Sequence, residues 1–389
     1  MSANTNLTDD RGRCEVAVVG GGPAGAVASR ILANRGRAVV LVEATRYDDW
    51  RLGETLQPSI REPLTALGVG EAFDAIPTVS SNGIRRYWGD DEPRSRTFLA
   101  NPYAGGYHVD RTAFDRMLGL AARNAGATLL LGARVDACEP DFDSQRISLS
   151  LDTTAAFAET LPLVSDDQDR ISARAVLDAS GRTATVARRL GADRDVHDKL
   201  VGAGATFRAD HDDCGRYTLI EAIPDGWWYS APLPGDQLVV VFFTDADLLG
   251  VRSGADPWRD ALNATSETAD RTAAATFEQG PAIAPVLSHR LDRDLDDQPW
   301  LAVGDAAMGV DPLSGTGIER AIDTGVRGAI AIDRWLDGYR DQAETYEDDL
   351  DADFSEYLER RATYYRREDR WPDTAFWRRR HDPATIDTS

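Results

Sequence analysis

The 389-residue chain sets 43 lysines and arginines against 65 aspartates and glutamates, a formal charge of −22. Such a surface repels phosphate backbones and anionic bilayers, which argues against nucleic-acid binding, while 42% hydrophobic content suffices for one large or two ordinary cores. Cys14, Cys138 and Cys214 are scattered, so neither a disulfide framework nor a zinc site is indicated, and no metal is expected.

Lys199 is the single lysine. A GC-rich coding sequence and adaptation to high salt both account for that bias, and neither bears on chemistry. The first 13 residues are polar without an apolar core, and no stretch approaches the roughly 18 apolar residues of a membrane span. The expectation is a cytoplasmic protein.

In chain order, Glu15–Val19 is an apolar, β-branched run that breaks into Gly20-x-Gly22-x-x-Gly25 and then into an Ala-rich helical pattern. A strand, a tight turn and a helix N-terminus in that order form a pyrophosphate cradle, with Pro23 and Ala24 inside it. A second strand, Ala38–Val42, ends in Glu43, where an acid binds a ribose hydroxyl. Arg51 follows closely enough to reach a cofactor phosphate; its alternative reading is an ordinary surface arginine. A helix starts near Pro58 and ends near Gly68.

Asn82–Trp88 and Arg94–Leu99 read as strands, and a helix capped near Asp110 runs to Gly126. Thr128–Leu131, Arg134–Cys138 and Ala175–Asp178 read as strands of the nucleotide-binding sheet, the last feeding a basic helix from Arg182 to Gly191. From Leu200 to Thr244 the pattern is all strand and contains Gly226-Trp227-Trp228-Tyr229-Ser230-Ala231-Pro232. Helical stretches over about 256–278 precede a strand at Pro285–Arg290. A buried strand, Pro299–Val303, ends in Gly304-Asp305, and Asp311–Gly317 opens a helix to about Trp335. The remainder is helical, charged and aromatic.

The glycine turn with Glu43, the Asp178-Ala179-Ser180-Gly181 segment with Arg188, and Gly304-Asp305 with Pro312-Leu313-Ser314-Gly315-Thr316-Gly317 together resemble FAD-dependent hydroxylases of the p-hydroxybenzoate hydroxylase fold. The resemblance implies an α/β chain with an α+β second lobe. A Rossmann-like FAD-binding domain (14–80, 105–195 and 285–338) is interleaved with a β-sheet substrate lobe (81–104 and 196–284), and a helical tail covers 339–389. It further implies that Asp305 holds the ribityl chain. Pro312, Gly315, Thr316 and Gly317 would face the flavin, Arg111 would reach the ribityl or phosphate region, and Val135 would touch adenine through its backbone.

Within that superfamily the chain is similar to flavin-dependent halogenases and to hydroxylating flavoproteins that mature tryptophan-derived quinone cofactors. The relevant segments are Gly53–Pro58, Asn101–Tyr103, Tyr107–Arg111, Trp227–Pro234 and Arg370–Trp377. A halogenase needs a lysine amine in a Lys-x-Gly-Ile segment, which here reads Ser81-Asn82-Gly83-Ile84. The Thr316-Gly317 backbone pair, which would bind halide in a halogenase, is retained.

The reading is an FAD-dependent monooxygenase that transfers oxygen from a flavin C4a-hydroperoxide to an aromatic ring. That ring belongs to a small molecule or to a tryptophan side chain of a partner protein. His108, Glu54, Trp228 and Tyr229 are the catalytic and pocket candidates. Trp227, Trp228 and Tyr229 alternate across a strand, so only one face can meet substrate, and core packing is their other reading. His108 is equally readable as a structural histidine. NAD(P)H or a reductase partner would supply electrons, and the aromatic tail from Tyr364 to His381 would help to dock a protein substrate. The alternatives are a halogenase, a flavin reductase of prenyl double bonds, and a non-catalytic FAD-bound escort.

Overall fold

The run from Arg13 to Val19 becomes the centre of a parallel sheet because apolar cover lies on both its faces. A computed structural model describes residues 12–90, 92–98, 105–141, 143–155, 169–250, 256–293 and 298–382. Residues 1–11, with most of the polar leader segment, and Asn101–Tyr103 lie outside them.

Arg13–Val19 pairs in parallel with Val39–Glu43 on one side and Arg170–Asp178 on the other, and Thr128–Leu131 extends the sheet beyond Val39–Glu43. The far edge of Arg170–Asp178, away from Arg13–Val19, has two partners along its length. Its first half pairs antiparallel with Arg146–Asp152, and its second half pairs parallel with Trp300–Ala302. The helix Pro23–Asn34 packs against the later helix Gly317–Leu336. The strands that precede them, Arg13–Val19 and Trp300–Ala302, both run parallel to Arg170–Asp178, so both helices begin at the same end of the sheet.

A second seven-stranded sheet runs Thr276–Pro285, Leu200–Arg208, Gln237–Asp245, Gly226–Leu233, Thr218–Ile223, Gly83–Tyr87 and Arg94–Thr97. A three-stranded sheet of Thr55–Leu56, Gly106–Val109 and Thr78–Ser81 also forms. Contacts from Gly226–Leu233 to the last two of these strands bring it against the second sheet.

Three expectations need correction. The helical pattern predicted to 278 stops at Thr272, because Thr276, Phe277 and Gln279 pair with Arg208, Phe207 and Thr206 as strand. The basic helix shrinks to Thr185–Arg189, because Ala184 takes a left-handed conformation and Asp178 accepts the N–H groups of Val186 and Ala187. The aromatic side chains expected to serve docking are in large part core residues. Tyr365, Phe376 and Trp377 are wholly buried in one cluster with Trp88 and Trp227, and Arg380 forms a buried ion pair with Asp245 at 2.7 Å. Among the described residues no helix is long and apolar enough to cross a membrane.

Candidate cofactor and substrate site

A cleft of about 770 Å³ opens where the two helix N-termini meet. Gly20, Gly22, Pro23, Ala24, Glu43, Arg51, Glu54, Arg111, Val135, Tyr229, Asp305, Pro312, Gly315 and Gly317 all line it. These come from both ends of the chain.

The glycines of the first turn do different things. Gly20 has φ +109°, and a Cβ there would lie 2.2 Å from the Ala179 carbonyl oxygen. A Cβ on Gly25 would lie 1.9 Å from the Gly20 oxygen. At Gly22 a Cβ would meet nothing within 4 Å, because the backbone there borders the open cleft. Gly22 is also the N-cap of Pro23–Asn34, with no side-chain cap and no acid in the first turn. The exposed helix N–H groups and the positive end of the dipole fit a pyrophosphate.

The second helix start likewise has no side-chain cap, although Glu319 stands in its first turn and accepts from Ser59 Oγ at 2.6 Å. Thr316 caps Gly317–Leu336 without a side-chain bond, and a Cβ on Gly317 would also meet nothing within 4 Å. The Thr316 N–H is directed at Ser314 Oγ at 3.4 Å, so Gly315 and Gly317 rather than Thr316 border the cleft.

Glu43 is engaged on both oxygens. Oε2 accepts the Gly21 N–H at 2.7 Å, and Oε1 accepts from the Thr45 hydroxyl at 2.6 Å and from Arg51 at 2.8 Å. One lone pair on Oε2 is left for a ribose hydroxyl. Arg51 also reaches Asp115, as does Arg111. Asp115 is fully buried between the two arginines, which fixes both guanidinium groups on the cleft wall. Sequence reading missed Asp115, although its spacing of four residues from Arg111 on one helix was the available signal.

Asp305 lies between Arg182 Nε at 3.1 Å and Arg320 Nη2 at 2.8 Å, and its carbonyl accepts from His289 at 3.0 Å. Burial raises the cost of its charge, yet the two guanidinium groups hold its carboxyl below the ordinary carboxylate range. Arg182 and Arg320 were missed. Arg188, expected with the middle motif, is exposed and off the cleft. Asp305→Ala would remove a charged acceptor and leave two cations facing each other. FAD affinity is expected to fall roughly tenfold or more, as read by equilibrium dialysis of the flavin.

Thr55 organises the opposite wall. Its hydroxyl shares hydrogen bonds with Tyr229 OH at 2.7 Å, His108 Nδ1 at 3.0 Å and Thr218 Oγ1 at 3.2 Å. Beside it, Glu54 is buried with no hydrogen-bond partner on either oxygen. Burial pushes its carboxyl up to about 7, against the opposing pull of Arg111. Burial also holds the Tyr229 hydroxyl protonated, far above its usual range.

Two pocket candidates are corrected. Trp228 points to the other face of its strand, where it is wholly buried, stacked on Phe242 at 4.8 Å and edge-on to Trp258. His108 is wholly buried behind Thr55, and burial pushes it down to about 3. It is neutral at working pH and serves through its bond to Thr55. Among the described residues no group of three or more His, Cys, Asp or Glu is placed to hold a metal ion.

Residues 13–352 match the family described as FAD binding domain. The chain is 29% identical over 369 residues to the putative FAD-dependent oxidoreductase LodB of Marinomonas mediterranea, covering 94% of this chain and 96% of that protein. It is 26% identical to the tryptophan 2-halogenase of Chondromyces crocatus over 86% of this chain but 63% of the halogenase. Among solved structures, the flavin-dependent halogenase CmlS superposes with a TM-score of 0.80 at 26% identity, over 97% of this chain and 68% of that one. The peptidyl tryptophan dihydroxylase QhpG shares the fold, with a TM-score of 0.74 at 22% identity over 97% of this chain and 80% of that one.

Proposed function

The chain belongs to the FAD binding domain family, and from that premise we propose that this FAD-dependent oxidoreductase is a monooxygenase that hydroxylates an electron-rich aromatic ring. Glu54 carries the reading: an unpartnered buried carboxyl on the cleft wall, poised near neutral pH beside Tyr229. A carboxylate so placed accepts the proton that the ring carbon sheds when oxygen replaces hydrogen. Reduced FAD, when bound, supplies the oxygen-activating chemistry.

This chain's own residues bind, orient and exclude water. Gly22 and the first helix take the pyrophosphate, Glu43 the ribose, and Asp305 with its two arginines the ribityl chain. Arg51 and Arg111, fixed by Asp115, line the phosphate side, and the backbone of Val135 flanks the adenine. Gly315 and Gly317 face the flavin. Thr55, oriented by His108, holds the Tyr229 hydroxyl so that one polar edge of the ring meets one fixed donor.

Hydroxylation is favoured over halogenation because no lysine lines the cleft. Lys199, the single lysine, immediately precedes the strand Leu200–Arg208. The QhpG name, carried to this chain, puts the ring on a tryptophan of a partner protein, in keeping with the sequence similarity to the maturation flavoproteins. NAD(P)H, acting directly or through a reductase, is the electron source in this reading.

The test supplies the FAD-loaded protein with NADH, a flavin reductase, oxygen, chloride and bromide. Free indole, a phenol and a tryptophan-containing peptide serve as probes, read by mass spectrometry. Gain of oxygen on a ring is expected. Gain of chlorine or bromine overturns the reading in favour of a halogenase. With a prenylated quinone added as a fourth probe, saturation of its prenyl double bond without oxygen use overturns the reading in favour of a reductase.

A further inference from the structure

The helix Asp341–Tyr365 reaches the rim of the cofactor cleft through Asp311. Tyr365 ends the helix Asp341–Tyr365 and is wholly buried. Its hydroxyl donates to Asp311 Oδ2 at 2.7 Å and accepts from Trp227 Nε1 at 3.1 Å. Asp311 is itself the cap of the turn Pro312–Ser314, and its Oδ1 accepts the Leu313 N–H at 2.9 Å. The Asp311 backbone N–H donates to Tyr357, another residue of the same helix, at 2.9 Å. Arg361 of that helix lies 3.5 Å from Asp311 and 3.0 Å from Asp198.

Asp311, Pro312, Ser314, Gly315 and Gly317 border the cleft, and Tyr229 borders it from the strand that carries Trp227. One tyrosine hydroxyl thus ties the strand behind the substrate wall to the turn that opens the helix Gly317–Leu336. We propose that Tyr365 is a positioning residue for bound FAD: by fixing Asp311 it sets how the Gly315–Gly317 turn and the following helix N-terminus are presented to the flavin. The inference rests on the FAD binding of the family and holds whatever the substrate is.

The direction of the effect follows from charge. The helix N-terminus favours the anionic form of a reduced flavin, and a buried carboxylate relieved of a donor opposes it. Without the Tyr365 hydroxyl, Asp311 Oδ2 keeps only Arg361 at 3.5 Å, and the Trp227 N–H loses its acceptor. The first change makes the bound flavin harder to reduce.

Tyr365→Phe in the FAD-loaded full chain tests this. The variant is expected to retain FAD. Its flavin absorption band should shift, and at a fixed dye potential its ratio of reduced to oxidised flavin should fall roughly two- to tenfold, the equivalent of one net hydrogen bond. Trp377→Phe is the control, since it deletes another buried bond of the same aromatic cluster, to the Ile223 carbonyl at 2.9 Å, without touching Asp311. Its flavin should match the wild type. An unchanged ratio and spectrum in Tyr365→Phe overturns the proposal, as does an equal shift in Trp377→Phe, which would assign the effect to loosened packing. If Tyr365→Phe does not fold, Tyr357→Phe takes its place: releasing the Asp311 N–H must shift the ratio, and an unchanged ratio refutes the assignment.

Discussion

Glu54→Gln is expected to lower kcat roughly 10²- to 10⁴-fold, the usual range for loss of a general base, while making the protein more stable at alkaline pH. The two effects have one cause. Glu54 is wholly buried, and burial pushes it from its ordinary value of 4.5 up to about 7 against the opposing pull of neighbouring backbone N–H groups, Arg111 and the Tyr229 hydroxyl. Between those values the folded protein holds a proton that the unfolded chain has released, so stability falls as pH rises through that window. Above about pH 7 the full penalty of a buried charge is present, about 3 kcal/mol by linkage. Glutamine has the same shape and no charge to bury. Thermal melts at pH 8 should therefore favour the variant, and melts near pH 4 should not distinguish it from wild type. The wild-type kcat/KM should drop as pH falls below about 7, where the carboxylate becomes protonated, and the residual activity of the variant should lack that limb. A variant with wild-type turnover removes Glu54 from the mechanism.

Gly22 and Gly25 are expected to fail in different ways. Gly25→Ala drives a methyl group to 1.9 Å from the backbone oxygen of Gly20, where two main-chain segments meet and neither can yield cheaply. The strand and helix must separate, and the variant is expected to lose cooperative folding. Gly22→Val places its side chain in open space, so circular dichroism and melting of the apo-protein should remain close to wild type. The same side chain occupies the approach to the helix N–H groups, so FAD affinity should fall at least a hundredfold, the loss of roughly two charge-assisted hydrogen bonds. Both variants follow from far-UV spectra and flavin titration. A Gly22→Val protein that retained its yellow colour through dialysis would refute the cradle assignment.

The parts of the site legible in the sequence are those built from backbone. A tight turn needs glycine and a dipole needs a helix start, so Gly20, Gly22 and Gly25 announce themselves by spacing. Asp305, Gly315 and Gly317 are legible through the resemblance of Gly304-Asp305 and Pro312–Gly317 to the closing motif of FAD-dependent hydroxylases. What resisted reading are side chains that matter through partners far away in the chain. Arg182 and Arg320 gain their role only when Asp305 lies between them, and Asp115 only when Arg51 arrives from another loop. Thr55 is an unremarkable residue of a two-residue strand until His108, Tyr229 and Thr218 converge on it. Trp228 shows the opposite failure. Alternation along the strand placed Trp228 and Tyr229 on opposite faces, but not which face was wet, and that depends on the helices that bury Trp228 against Trp258.

The two-partnered strand Arg170–Asp178 also has a consequence for the order in which the molecule can be made. Its second half receives Trp300–Ala302 only after the entire second sheet has been synthesised, since Leu200–Arg208 through Thr276–Pro285 lie between them in the chain. Until then the sheet has an unpaired edge at the place where Asp178 and Ala302 later pair. A growing chain shorter than this can fold the first glycine turn but lacks Asp305, Gly315 and Gly317 of the cleft wall. Cofactor loading is therefore a late event in the life of the polypeptide, and an arrested chain ending before Trp300 should emerge colourless from a solution of FAD that loads the full-length protein.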